Sequence, residues 1–181
     1  MRDDELVTIA QKIYKNHMKA LDFIFENKPD RLLTSAPGFE KACLRCGYVI
    51  GSQNKGYMRF TTKRLNEYIP RSSRNTWKNN ELFLFEFNFW KSKVKFRTVV
   101  ADEEKLVRNK LIERLVPLKN GKQPRGQKWS IVNSQSLNIN IHNEKYQDVK
   151  LIEEEIFAFL NSQESFILEV EKALLGVDFH D

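Results

Sequence analysis

Glu81-Leu82-Phe83-Leu84-Phe85-Glu86-Phe87-Asn88-Phe89-Trp90, then Lys91-Ser92, then Lys93-Val94-Lys95-Phe96-Arg97-Thr98-Val99-Val100 is the stretch that decides the fold. Phe83, Phe85, Phe87 and Phe89 recur at every second position. Val94, Phe96 and Thr98 alternate in the same way against Lys95 and Arg97. A period of two puts one set of side chains on one face of a strand. Aromatic and β-branched residues suit that pleated, half-buried surface. With the short polar link Lys91-Ser92 between the two runs, the pattern predicts a β-hairpin.

Downstream of the hairpin, Asp102 is placed to N-cap a helix over about 102–116. Leu106, Val107, Leu111 and Leu115 supply its apolar stripe and Pro117 stops it. Residues 128–141 read as one strand or two, through Trp129, Ile131, Val132, Leu137, Ile139 and Ile141. Residues 149–175 read as one final helix with Gly176 as its C-cap. Upstream, 57–62 reads as a strand, 63–68 as a helical turn and 70–75 as a loop. Ser35 is placed to N-cap a short helix over about 37–46, with Pro37 early in it. Residues 3–27 carry an amphipathic helical stripe from Leu6 to Phe25, which Pro29 ends. The order predicts one α+β domain over 1–181, with a mainly antiparallel sheet around a central hairpin. N-terminal, middle and C-terminal amphipathic helices pack it. Residues 1–30 are the N-terminal helix, 31–148 the sheet-containing core and 149–181 an acidic C-terminal helix.

Of the 181 residues, 41% are hydrophobic and 30% charged, which separates the chain from disordered sequences. No apolar run approaches membrane-spanning length, so no membrane partner is expected. Met1-Arg2-Asp3-Asp4-Glu5 shows no secretory h-region. Two cysteines cannot build a disulfide framework, and a reducing, cytoplasmic setting is expected.

The net charge of +6 is unevenly spread. Residues 34–80 hold nine basic and two acidic side chains, whereas 149–181 hold two basic and eight acidic. Such asymmetry points to a polyanion partner, or to an acidic helix packing near a basic face. Lys55, Arg59, Lys63, Arg64, Arg71, Arg74 and Lys78 interleave with Tyr57, Phe60, Tyr68 and Trp77. Cations neutralise phosphates and aromatic rings stack on unpaired bases, so this is the main candidate for nucleic-acid contact, with DNA favoured. Lys119, Lys122, Arg125 and Lys128 form a second basic cluster on a Gly/Pro-bearing loop.

Enzyme signatures are sparse. Cys43 and Cys46 form one Cys-x-x-Cys pair, half of what a tetrahedral zinc needs, and His17, His142 and His180 add no paired spacing. They read as half-buried cysteines. Glu26-Asn27-Lys28, with Asp22 upstream, has an acid-x-Lys spacing, but the triplet closes a helix, and Asp22 and Glu26 are an i, i+4 pair there. Glu86 lies on the hairpin, yet Lys93 and Lys95 stand where a second acid is required. Glu103-Glu104-Lys105 reads as first-turn helix chemistry. There is no P-loop, no Gly-x-Ser-x-Gly and no His-Glu-x-x-His. No catalytic residue and no metal ligand is assigned, and no cofactor is expected.

Residues 10–26, Ala-Gln-Lys-Ile-Tyr-Lys-Asn-His-Met-Lys-Ala-Leu-Asp-Phe-Ile-Phe-Glu, and the hairpin with its following helix and Lys128-Trp129 carry a resemblance. Together they resemble the C-terminal region that follows the catalytic domain in one bacterial family of the PD-(D/E)XK nuclease superfamily. The catalytic half of that family, with its strand-borne Asp and Glu-x-Lys, has no counterpart in this sequence. The resemblance implies a non-catalytic accessory domain, with roles in phage defence or DNA processing. Two alternatives stay open. One is a protein-interaction or dimerisation module built on the first and last helices. The other is a divergent Mg²⁺-dependent nuclease using Asp22, Glu26 and Lys28, or Glu86.

Overall fold

The computed structural model describes residues 3–26, 31–54, 56–74, 76–90, 93–126, 128–140, 143, 146 and 148–179. The chain divides after Asp30 into two compact units. The first contains α1 (Asp3–Glu26), the predicted amphipathic segment. Its backbone leaves helical values at His17 (φ −127°, ψ 21°), which kinks it. The Tyr14 hydroxyl donates to Asp22 at 2.7 Å. That bond, with the carboxylate's charge, raises the Tyr14 pKa.

All other elements belong to the second unit. There α2 (Arg31–Arg45) begins earlier than expected. Ser35, expected as its N-cap, is buried within it, and Pro37 is interior. Proline removes one helical N–H, and packing outweighs that loss. Strand β1 (Val49–Asn54) was not foreseen, because Gly51, Ser52, Gln53 and Asn54 have little β propensity. It forms by pairing with β2 (Tyr57–Thr61), through a shift in register between Ile50 and Gln53. In α3 (Lys63–Tyr68), the cap Thr62 accepts from the Leu65 amide at 3.2 Å.

The hairpin is β3 (Phe83–Trp90) with β4 (Lys93–Val100), which sets Phe87 opposite Phe96 and Phe89 opposite Val94. Next come α4 (Lys105–Leu115) and β5 (Ser130–Leu137), which is a single strand. The predicted final helix is two, α5 (Val149–Ser162) and α6 (Glu164–Leu174), because Gln163 leaves helical values (φ −97°, ψ 2°). Asp102 is not the cap of α4. Glu104 holds that position without a side-chain bond, and the Asp102 carboxylate faces Arg74 instead, at 3.5 Å.

The five strands lie in the order β1-β2-β3-β4-β5, each antiparallel to its neighbour. This is the predicted α+β class. Alternation along β3 gives the sheet two unlike faces. One carries Phe60, Phe83, Phe85, Phe87, Phe89 and Phe96 into the main core, where Phe39 of α2, Phe159 of α5 and Phe166 of α6 meet them. Burial of each such ring contributes roughly 1.5–3 kcal/mol. Gly38 lets α2 approach α5, since a Cβ on it would stand 2.7 Å from Ile152 Cβ. The other face carries Leu84 and Val99, which pack with Trp77 and Ala101, beside a charged row of Arg59, Glu86 and Arg97. Among the described residues, no helix is long and apolar enough to cross a membrane.

Candidate nucleic-acid interface

The charged row is built by strand register. Arg59 on β2 and Arg97 on β4 both stand opposite Glu86 on β3. Arg59 Nε donates to Glu86 Oε2 at 2.8 Å and Nη1 to Ser52 Oγ at 3.2 Å, while Arg97 Nη1 reaches Glu86 Oε1 at 3.5 Å. The Arg59 guanidinium lies 3.7 Å from the Tyr57 ring centroid and 4.5 Å from that of Trp77. Arg59 is only 6% exposed and Trp77 only 7%. This corrects the expectation that they present a cation and a stacking ring to a ligand. The guanidinium finds its carboxylate on the next strand, a pairing that linear charge counting does not see. Glu86, weighed as a metal-binding acid, is likewise taken up by two guanidiniums.

Trp77 is delivered by a loop closed at its base. The Arg71 and Glu81 backbones pair in an isolated antiparallel bridge, the Ser72 amide donates to the Asn80 carbonyl at 2.6 Å, and the Asn79 side chain donates to Glu81 at 2.9 Å. Asn80 takes a left-handed conformation (φ 57°), which asparagine tolerates. Glu103 clamps this loop from the approach to α4. It accepts from the Ser73 amide, the Ser73 hydroxyl and the Glu104 amide, each at 2.9 Å. Burial alone would raise the Glu103 pKa, but bonds from Ser72, the Glu104 amide and Ser73 outweigh it and bring it to about 2.

Two grooves open, one beside this closed region and one along β5. The first, of about 450 Å³, is lined by Arg74, Lys105, Arg108 and Lys128, with Asp102 and Glu103 as its acids. It brings the two basic sequence clusters together, Arg74 from one and Lys128 from the other. The second groove, of about 630 Å³, lies between the 119–128 loop and β5. Its lining includes Lys122, Arg125, Trp129, Ile131, Ser134 and Gln135, and among the described residues no acidic one. The loop is anchored where Asn133 Nδ2 donates to the Lys119 carbonyl and the Lys122 amide donates to Val132 at 2.8 Å. A Cβ at Gly121 would strike the Val116 carbonyl, so the turn into this loop requires glycine. Trp129 is 63% exposed and Ile131 40%. Trp129 was read as a strand residue and as part of the Lys128-Trp129 pair in the resemblance, not as a ligand contact. Its signal was its place beside Lys128, at the end of a basic loop.

The remaining candidates scatter. Lys63 and Lys78 are exposed. Arg64 pairs with Glu171 of α6 at 3.3 Å, and Thr62 donates to the same carboxylate at 2.7 Å. Arg45 of α2 similarly meets Glu154 of α5 at 2.9 Å. The acidic C-terminal helices thus neutralise part of the basic region. Arg71 donates to the Asn66 side chain at 2.8 Å, and Tyr57 is half-buried on β2. Lys55, Lys28, His142 and His180 lie outside the described residues. Cys43 is buried and Cys46 half-buried, both as free thiols. Burial pushes the Cys43 thiol well above its ordinary range and raises Cys46 too. Among the described residues, no three His, Cys, Asp or Glu side chains gather as a metal site. Comparisons with protein-family models, curated proteins and solved structures find no match.

Proposed function

We propose that this chain is a non-catalytic module that contacts nucleic acid, as the resemblance to the C-terminal region of a PD-(D/E)XK nuclease implies. The observation that carries the reading is the groove in which Arg74 and Lys128, from separate sequence clusters, join Lys105 and Arg108. Lys105 and Lys128 are exposed and form no ion pair among the described residues. Unpaired surface cations release counterions when phosphates bind, which drives affinity of any sequence at low salt. The neighbouring loop cations Lys122 and Arg125 extend the positive track. Arg59 and Trp77, both buried, serve the fold.

The test is fluorescence anisotropy with labelled DNA over a salt series, with Mg²⁺ present and the DNA checked on a gel. Salt-sensitive binding without cutting is expected. Lys105→Ala/Lys128→Ala should weaken binding to every sequence and make the slope of log K against log salt shallower by roughly one to two. An unchanged slope refutes this assignment, and Mg²⁺-dependent cutting would favour a divergent nuclease.

A second reading rests on α1, where Leu6, Val7, Ile9, Ile13, Tyr14, Met18, Phe23 and Ile24 are all exposed. A protein-interaction or dimerisation module would cover such a stripe. A salt-resistant dimer in sedimentation, with no affinity for DNA, favours it.

A further inference from the structure

Resting on the nucleic-acid reading, the geometry points to a particular form of the polymer: a single strand whose unpaired base stacks on Trp129 in the groove along β5. Four observations converge. Trp129 is the one tryptophan among the described side chains with most of its surface in solvent, at 63% exposure, against 7% for Trp77. Ile131, two residues on and 40% exposed, extends the apolar floor. A groove of about 630 Å³ has room for a base with its sugar, and Ser134 and Gln135 supply hydrogen-bonding groups at its wall. Lys122 and Arg125 rim it, and among the described residues neither forms an ion pair and no acid lines it.

The chemistry of that combination is selective. An acidic peptide would also be drawn to Lys122 and Arg125, but its charged side chains carry no flat π-surface to match the indole. A duplex offers phosphates but keeps its bases stacked on one another. A single strand offers both a phosphate track and free base faces. The loop backbone is held at Lys119 and Lys122, so the stem that carries Lys122 is in place before the strand arrives. Pre-positioning lowers the ordering cost of binding. Lys128 lines the adjacent groove, so a strand leaving Trp129 meets further cations at Lys105 and Arg108, beside the Arg74–Asp102 pair.

The experiment compares a labelled oligothymidylate strand with a labelled duplex by anisotropy at low salt. It uses the full chain and the variants Trp129→Ala, Trp129→Phe and Lys122→Ala/Arg125→Ala. The single strand should bind more tightly than the duplex. Trp129→Ala should weaken single-strand binding by roughly tenfold or more, as lost base stacking does. It should leave duplex affinity and the salt slope unchanged, and Trp129→Phe should retain most of the affinity. Lys122→Ala/Arg125→Ala should weaken both and flatten the slope. Equal loss for strand and duplex in Trp129→Ala, or no loss in either, overturns the stacking site while leaving the nucleic-acid reading standing. Absence of binding to either DNA at low salt overturns both. Matching circular dichroism and melting curves confirm that each variant is folded.

Discussion

Trp77 with Arg59 and Trp129 with Lys122 and Arg125 are built from the same residue types, yet the first set is closed and the second open. The difference lies in what the topology sets beside each. Arg59 sits in the interior of the sheet, where Glu86 on β3 and Ser52 on β1 satisfy its guanidinium. A charge removed from water requires such partners. The loop that brings Trp77 then completes the seal. Lys122 and Arg125 stand at the outer edge of the last strand, where no carboxylate among the described residues lines the groove. A basic-aromatic pattern in sequence therefore has two readings, and the position of the nearest carboxylate in the sheet decides between them.

The sharpest way to break this comparison is to delete parts of the closed set. Trp77→Ala removes a ring that is only 7% exposed, and a loss of about 3–5 kcal/mol is expected. Glu86→Ala leaves two guanidiniums without their carboxylate and should cost a similar amount, roughly 3–5 kcal/mol. Urea unfolding followed by circular dichroism measures both. A loss below about 1 kcal/mol in either variant would mean that the closed set does not brace the sheet.

The parts of the fold that could be read in advance were those with strong periodicity. The Phe83 to Phe89 alternation foretold the hairpin and its buried face, and the stripe of α1 foretold that helix. Strand β1 was hidden because its pairing with β2 comes from register, and Gly51-Ser52-Gln53-Asn54 carries no local preference for a strand. The break at Gln163 was hidden because the apolar stripe continues through Ile156, Leu160, Ile167 and Val170 on both sides of it. For the candidate site, the basic residues were legible one by one and their grouping was not. Arg74 and Lys128 are separated by the hairpin and α4 and meet only through the fold. Arg59 and Trp77 looked exposed because nothing local in the sequence shows Glu86 opposite Arg59.

A middle-sized effect is expected at Glu103, the clamp on the loop that carries Trp77. Its folded pKa is depressed to about 2 from an ordinary 4.5. A depressed carboxylate stabilises the folded state fully above its unfolded pKa and loses that contribution as pH falls through the folded one. The Glu103 contribution should therefore be complete above about pH 4.5 and decline from there towards pH 2. Glu103→Gln should lower the urea midpoint at pH 7 and flatten its dependence on pH across that window. Parallel midpoint curves for the two proteins would show that the clamp does not hold the loop.

The smallest expected effect is the stability change on Trp129→Ala, and it tests the open side of the comparison most directly. A ring that is 63% exposed makes few internal contacts, so its removal should alter folding stability by no more than about 0.5 kcal/mol. The same substitution at Trp77 should cost several times more, although both change tryptophan to alanine. The pair isolates context from residue type, because transfer free energy scales with the area withdrawn from water. Acrylamide quenching of tryptophan fluorescence supplies an independent check, since Trp129→Phe should reduce the readily quenched component and Trp77→Phe should not. A loss above about 2 kcal/mol in Trp129→Ala would make Trp129 a packing residue of β5, and the groove would then be a seam of the core with no role in binding.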